Sequence, residues 1–137
     1  MTPAQAGALQ DLWPQSGFDY EPRVADLDAL FGRRAPRVLE IGFGNGDALL
    51  ALAAREPDTD FIGIEVHRPG VGSLLRRAAA VPLTNLRVST HDAVEVLRDQ
   101  VPPASLAATF GQPRGKLIRA GAFPTTSRPL LRRQRGG

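Results

Sequence analysis

Residues 38–46 read VLEIGFGNG: a short apolar run, an acid at Glu40, then glycines 42, 44 and 46 at alternate positions. Such a run ending in glycines is the pattern of a buried strand entering a turn, where missing side chains let a ligand approach the backbone. The chain on either side fits the same frame. Residues 47–55 (DALLALAAR) are apolar at helical spacing, carry an acid in the first turn and stop before Pro57. Residues 61–66 (FIGIEV) form a second strand, 70–80 a helix, 86–89 a third strand and 92–100 another helix. Strands alternating with helices over short connections predict a parallel, Rossmann-like α/β sheet, in residues 37–103.

Upstream, residues 1–36 form a helical lead-in. Thr2 and Pro3 are a good helix start, and apolar Ala6, Leu9, Leu12 and Trp13 continue the helix until Pro14. A loop at 15–24 precedes a brief helix over 25–31, which ends at Gly32. Downstream of Pro103 the periodicity stops, and residues 104–137 are expected to be an irregular or disordered basic tail.

Composition narrows the function classes. The net charge of +3 hides an asymmetry: all 14 acids lie within residues 1–100, whereas residues 101–137 hold seven cations and no acid, as a nucleic-acid-binding arm would. The absence of cysteine excludes disulfides, thiolate metal sites and cysteine nucleophiles. No apolar run approaches the roughly 20 residues of a membrane-spanning helix, and no signal peptide is recognisable. A cytoplasmic monomer without membrane attachment is the expectation.

In open parallel sheets, ligands bind outside the carboxyl ends of the strands, which places glycines 42, 44 and 46 at a nucleotide-like ligand. A dinucleotide fingerprint would require glycine at position 47, which is Asp47. Asp47 and Glu40 beside a pyrophosphate would repel it by about 1 kcal/mol per close pair even in water. S-adenosylmethionine has no phosphate and carries a sulfonium and an ammonium, so acids at the turn favour it. Glu65 closes the second strand, where an acid commonly accepts from ribose hydroxyls. Asp92 follows the third strand, where it could accept from the adenine amino group or cap the next helix. The candidate cofactor-binding set is therefore Glu40, Gly42, Gly44, Gly46, Glu65 and Asp92. His67 and His91 have no third ligand at suitable spacing, so no metal is expected; His67 either lines the site or is an exposed loop residue.

The segments VLEIGFGNGDALL, FIGIEVHRPGVGSLL and THDAVEVL, with the opening MTPAQAGALQDLWPQSGFDY, resemble the bacterial tRNA (guanine-N7-)-methyltransferases over about residues 1–107. The resemblance implies a class I methyltransferase fold, S-adenosylmethionine as donor, and N7 of a guanine in the tRNA variable loop as acceptor. It also implies Glu40, Glu65 and Asp92 as cofactor-contacting acids, with Gly42 in the turn. The family continues into a fourth strand bearing an FPDPW-type motif with a catalytic aspartate and a basic run. That motif is not present here, and no Asp or Glu follows residue 103, so no catalytic residue is identified. The expectation is a product truncated or frameshifted after about residue 107, holding only the N-terminal half of the sheet with its central strand left as an edge. Such a chain would bind cofactor weakly and transfer little or no methyl. Three alternatives stay open: a non-enzymatic RNA-binding fragment using the tail, an NAD-dependent oxidoreductase, and a methyltransferase with another substrate.

Overall fold

The computed structural model describes residues 1–81, 83–111 and 116–118. In chain order these form α1 (Pro3–Ser16), α2 (Leu27–Phe31), β1 (Arg37–Ile41), α3 (Asp47–Arg55), β2 (Asp60–Ile64), α4 (Arg68–Ala78), β3 (Leu86–Ser89), α5 (Ala93–Glu95) continued by a π turn (Val96–Gln100), β4 (Ala108–Gly111) and β5 (Lys116–Ile118). The sheet order is β3-β2-β1-β4-β5. The first four strands are parallel and β5 is antiparallel to β4.

Both faces of the sheet are covered, as expected where helices cross over parallel strands, and all five residues of β2 are buried. Alternation along the strands sorts the core into two halves. Phe61, Val88 and Leu86 pack with Leu49 and Ala53 of α3, Val71, Leu74 and Leu75 of α4, and Ala8 and Leu9 of α1. On the other face Leu39, Ile62 and Ile64 pack with Leu27 and Phe31 of α2 and with Val96 and Leu97.

Three expectations are corrected. The sheet does not stop at residue 103: β4 pairs with β1 from Val38 opposite Ala108 to Ile41 opposite Gly111. β1 is therefore flanked on both sides and is not an edge. A four-residue strand reading ATFG is too short and too poor in large apolar residues to show a period. The rest of the expected irregular tail, 112–115 and 119–137, lies outside the described residues. Second, α1 runs through Pro14 to Ser16. Proline costs little so near the end because the next turn still closes, Gly17 N–H donating to Trp13 O at 2.7 Å. The start is as expected, with Thr2 and Gln5 forming a reciprocal capping box at 3.1 and 2.9 Å. Third, the single helix expected over 92–100 changes to a π turn at Val96, where Val101 N–H reaches back to Val96 O at 3.2 Å. The widened turn lets Gln100, 2% exposed, donate its amide to Asp19 O at 2.9 Å while its backbone O accepts from Ala25 N–H. These bonds tie the lead-in to the end of the π turn.

Candidate functional site

Parallel register brings the strand ends to one edge, with Ile41 opposite Ile64 and Ile64 opposite Ser89. The turn after β1 needs its glycines, because Gly42, Gly44 and Gly46 have φ of 72°, 65° and 84°, a region L side chains rarely adopt. Gly42 N–H donates to Ile64 O at 2.6 Å, so the β1–β2 ladder extends into the turn.

Glu65 lies just past β2 and is partly buried. Its Oε1 accepts from Gly44 N–H at 2.7 Å and its Oε2 from His67 N–H at 2.9 Å. The carboxylate thus joins the β2 tip to the glycine turn while keeping further lone pairs for a ligand. Glu40 sits inside β1 at 6% exposure. It shares its sheet face with Val38, which packs toward α3 and α4. Asp92 is exposed and caps α5, its Oδ2 accepting from Glu95 N–H at 3.2 Å. The capping alternative for Asp92 is therefore realised, and capping leaves acceptor capacity on the same carboxylate.

Asp47 is different. It pairs with Arg77 of α4, whose guanidinium also donates to Asn45 O, so a cation offsets its charge. The charge argument against phosphate therefore does not rest on Asp47, and at the turn itself it rests on Glu65.

The PGVG segment, residues 69–72, is explained by packing. A Cβ on Gly70 would lie 2.2 Å from Gly44 O, and one on Gly72 would lie 2.4 Å from Gln5 O. The first turn of α4 is thus wedged between the glycine turn and α1, an arrangement only glycine allows. A cavity of about 400 Å³ opens beside the edge, lined by Leu9, Gln10, Trp13, Asp19, Arg68 and Thr90.

His67 is exposed and its backbone caps α4. His91 stacks on Tyr20, with ring centroids 3.6 Å apart and planes 10° off parallel, and its Nε2 lies 2.6 Å from Glu95 Oε1. Among the described residues no three His, Asp or Glu side chains are grouped to hold a metal ion, and no helix is long and apolar enough to cross a membrane.

Tyr20 Oη donates to Asp99 Oδ2, which raises the tyrosine pKa above its ordinary 10.0 because ionisation would break that bond beside a carboxylate. Arg98 donates to Asp99 through Nε and Nη2 at 2.8 and 3.0 Å, and these bonds, with that from Tyr20, hold the Asp99 carboxyl down at about 2. Tyr20 is the chain's single tyrosine, so ultraviolet titration reads it alone. The expected midpoint lies above 10.0 and moves down in Asp99→Asn, which removes the charge that opposes ionisation. A midpoint unaffected by that substitution would contradict the contact.

A family model described as "Putative methyltransferase" matches residues 34–112. Curated relatives named tRNA (guanine-N(7)-)-methyltransferase include that of Halorhodospira halophila, 56% identical over 107 residues that cover 77% of this chain and 46% of the relative. That of Hydrogenovibrio crunogenus is 49% identical over 110 residues, covering 80% and 46%. The chain thus spans a little under half the length of the curated relatives it matches. Among solved structures, the 16S rRNA methyltransferase KamB superposes with a TM-score of 0.51 at 18% identity over 65% of this chain and 42% of that one, which shows a shared fold. With the glycine turn, the strand order and the match over 34–112 all in agreement, the chain belongs to this methyltransferase family.

Proposed function

We propose that this chain carries the S-adenosylmethionine-binding part of a tRNA (guanine-N7-)-methyltransferase, acting in the cytoplasm as a monomer. The carrying observation is the edge where the glycine turn is held by Glu65, with Glu40 in the adjoining strand and Asp92 just beyond the third. Gly42, Gly44 and Gly46 would admit the cofactor to bare backbone. Glu40 would face the cationic methionine end, Glu65 the ribose hydroxyls and Asp92 the adenine amino group. Residues 1–36 serve as lead-in, and the cofactor-binding unit begins at residue 37 and takes in β4 beyond residue 103. The names of the relatives support guanine N7 in tRNA as acceptor.

The chemistry asks little of the protein beyond alignment. Guanine N7 has a lone pair in the plane of the base and attacks the sulfonium methyl without prior deprotonation. The methyl leaves sulfur as the N–C bond forms, giving a cationic 7-methylguanine and neutral S-adenosylhomocysteine. Holding both partners in line supplies most of the acceleration. Residues 104–137 contain no carboxylate, so no side chain there could act as a catalytic aspartate on the acceptor side.

The test is to incubate the purified chain with methyl-labelled S-adenosylmethionine and unmodified tRNA, then digest to nucleosides. The expected label is 7-methylguanosine, formed far more slowly than by a full-length relative. Label on another atom would overturn the acceptor, and a rate equal to the full-length relative's would overturn the assignment of this chain to the cofactor side alone.

A further inference from the structure

Tyr20 comes from the lead-in, yet its ring lies flat on His91, the residue before Asp92. Four contacts converge there. His91 Nε2 meets Glu95 Oε1 at 2.6 Å, and His91 N–H donates to Ser89 Oγ at 3.2 Å, an atom of a residue with no exposure. Glu95 N–H donates to Asp92 Oδ2, and Tyr20 Oη donates to Asp99, itself held by Arg98. Glu95 is the third residue of α5, where a capping glutamate would ordinarily turn back to the cap residue's own N–H. It reaches His91 instead.

The resulting loop joins Asp92, Glu95 and His91 through one backbone and one side-chain contact of Glu95. The Glu95 N–H donates to the Asp92 carboxylate, and the Tyr20 ring stacks on His91 at the other end of the loop. Around His91 stand Glu95 at the end of α5, Ser89 of β3, Asp99 on the π turn and Tyr20 from the lead-in.

We propose that Tyr20, His91 and Glu95 are positioning residues that set Asp92 for recognition of an adenine-type 6-amino group, so that the lead-in governs base selectivity at the cofactor site. This rests on the assignment of Asp92 to the adenine end. A carboxylate accepts from an amino group but meets the oxo group of hypoxanthine with repulsion, so a well-placed Asp92 discriminates between them. A charge-assisted hydrogen bond is worth about tenfold or more in affinity.

Calorimetry with S-adenosylhomocysteine and its inosine counterpart, in which oxo replaces the amino group, tests this directly. The wild-type chain is expected to prefer the adenine compound by about tenfold or more. Tyr20→Ala and His91→Ala should bring the two affinities together while the S-adenosylhomocysteine complex still forms. Tyr20→Phe, which keeps the ring and loses the hydroxyl, should retain most of the preference, and Glu95→Gln, which keeps an acceptor for His91, should do likewise. Thermal midpoints identify any variant that fails to fold, and Tyr20→Phe with Glu95→Gln remain informative in that event. Wild-type selectivity in folded Tyr20→Ala or His91→Ala, or a preference lost equally in Tyr20→Phe, would overturn the positioning role while leaving cofactor binding standing. Absence of selectivity in the wild type, with S-adenosylhomocysteine bound, would remove the role given to Asp92. Absence of binding by the wild type would sink the cofactor assignment and this inference with it.

Discussion

Asp60→Ala is expected to destabilise the chain by about 3–5 kcal/mol, read as a lowered urea midpoint, because it removes a fully buried carboxylate that joins two arginines, one of them itself buried. Asp60 has no exposure; its Oδ1 accepts from Arg33 Nε and Nη2 at 2.9 and 2.7 Å, and its Oδ2 from Arg37 Nε at 3.3 Å. Arg37 is itself 6% exposed and would retain Asp28 alone as a charge partner, at 2.7 Å. Since a domain of this size has only about 5–15 kcal/mol in total, that loss is a large share of its stability. Asp28→Asn is the control. That carboxylate is half exposed, so its removal should cost about 1 kcal/mol or less, and equal effects of the two substitutions would contradict the burial argument.

Gly70→Ala is expected to damage the ligand site more than the fold. The added Cβ would fall 2.2 Å from Gly44 O, so the first turn of α4 or the glycine turn must move by about 1 Å to restore contact distance. Displacements of that size break hydrogen bonds to a ligand held at the turn, each worth about tenfold in affinity. Alanine also favours a helix over glycine by about 1 kcal/mol, which offsets part of the strain in overall stability. The signature is a drop in affinity for S-adenosylhomocysteine out of proportion to any change in the urea midpoint. Gly72→Ala, whose Cβ would meet Gln5 O, should show the opposite balance because it pushes on α1. The same affinity loss in both variants would mean that α4 does not brace the turn.

The strand edge that carries the candidate residues was legible because its glycines, Glu65 and Asp92 sit where strand periodicity breaks, while Glu40 lies within β1. Val38, Leu39 and Ile41 announce β1, and Gly42 with φ of 72° ends it. Glu65 and Asp92 follow the next two strands at one edge because parallel connections return every strand in the same direction. What was not legible depends on contacts distant in sequence. β4 is recognised by its pairing with β1 and by the burial of Thr109. The Tyr20–His91 stack joins the lead-in to the third strand tip, and neither residue's local pattern names the other. Gly70 reads as a helix glycine until Gly44 O is placed against it. Glu65 was expected to receive ribose hydroxyls; its role in building the turn, through its bonds to Gly44 and His67, had no signal in the sequence.

Binding calorimetry on the 137-residue chain, with S-adenosylhomocysteine and NAD in parallel titrations and repeated on Glu65→Gln, bears most directly on the acidic edge. The sulfur nucleoside should bind the tighter of the two, with its affinity falling about tenfold or more in Glu65→Gln. NAD binding as tightly or more tightly, or an affinity indifferent to Glu65, would contradict it.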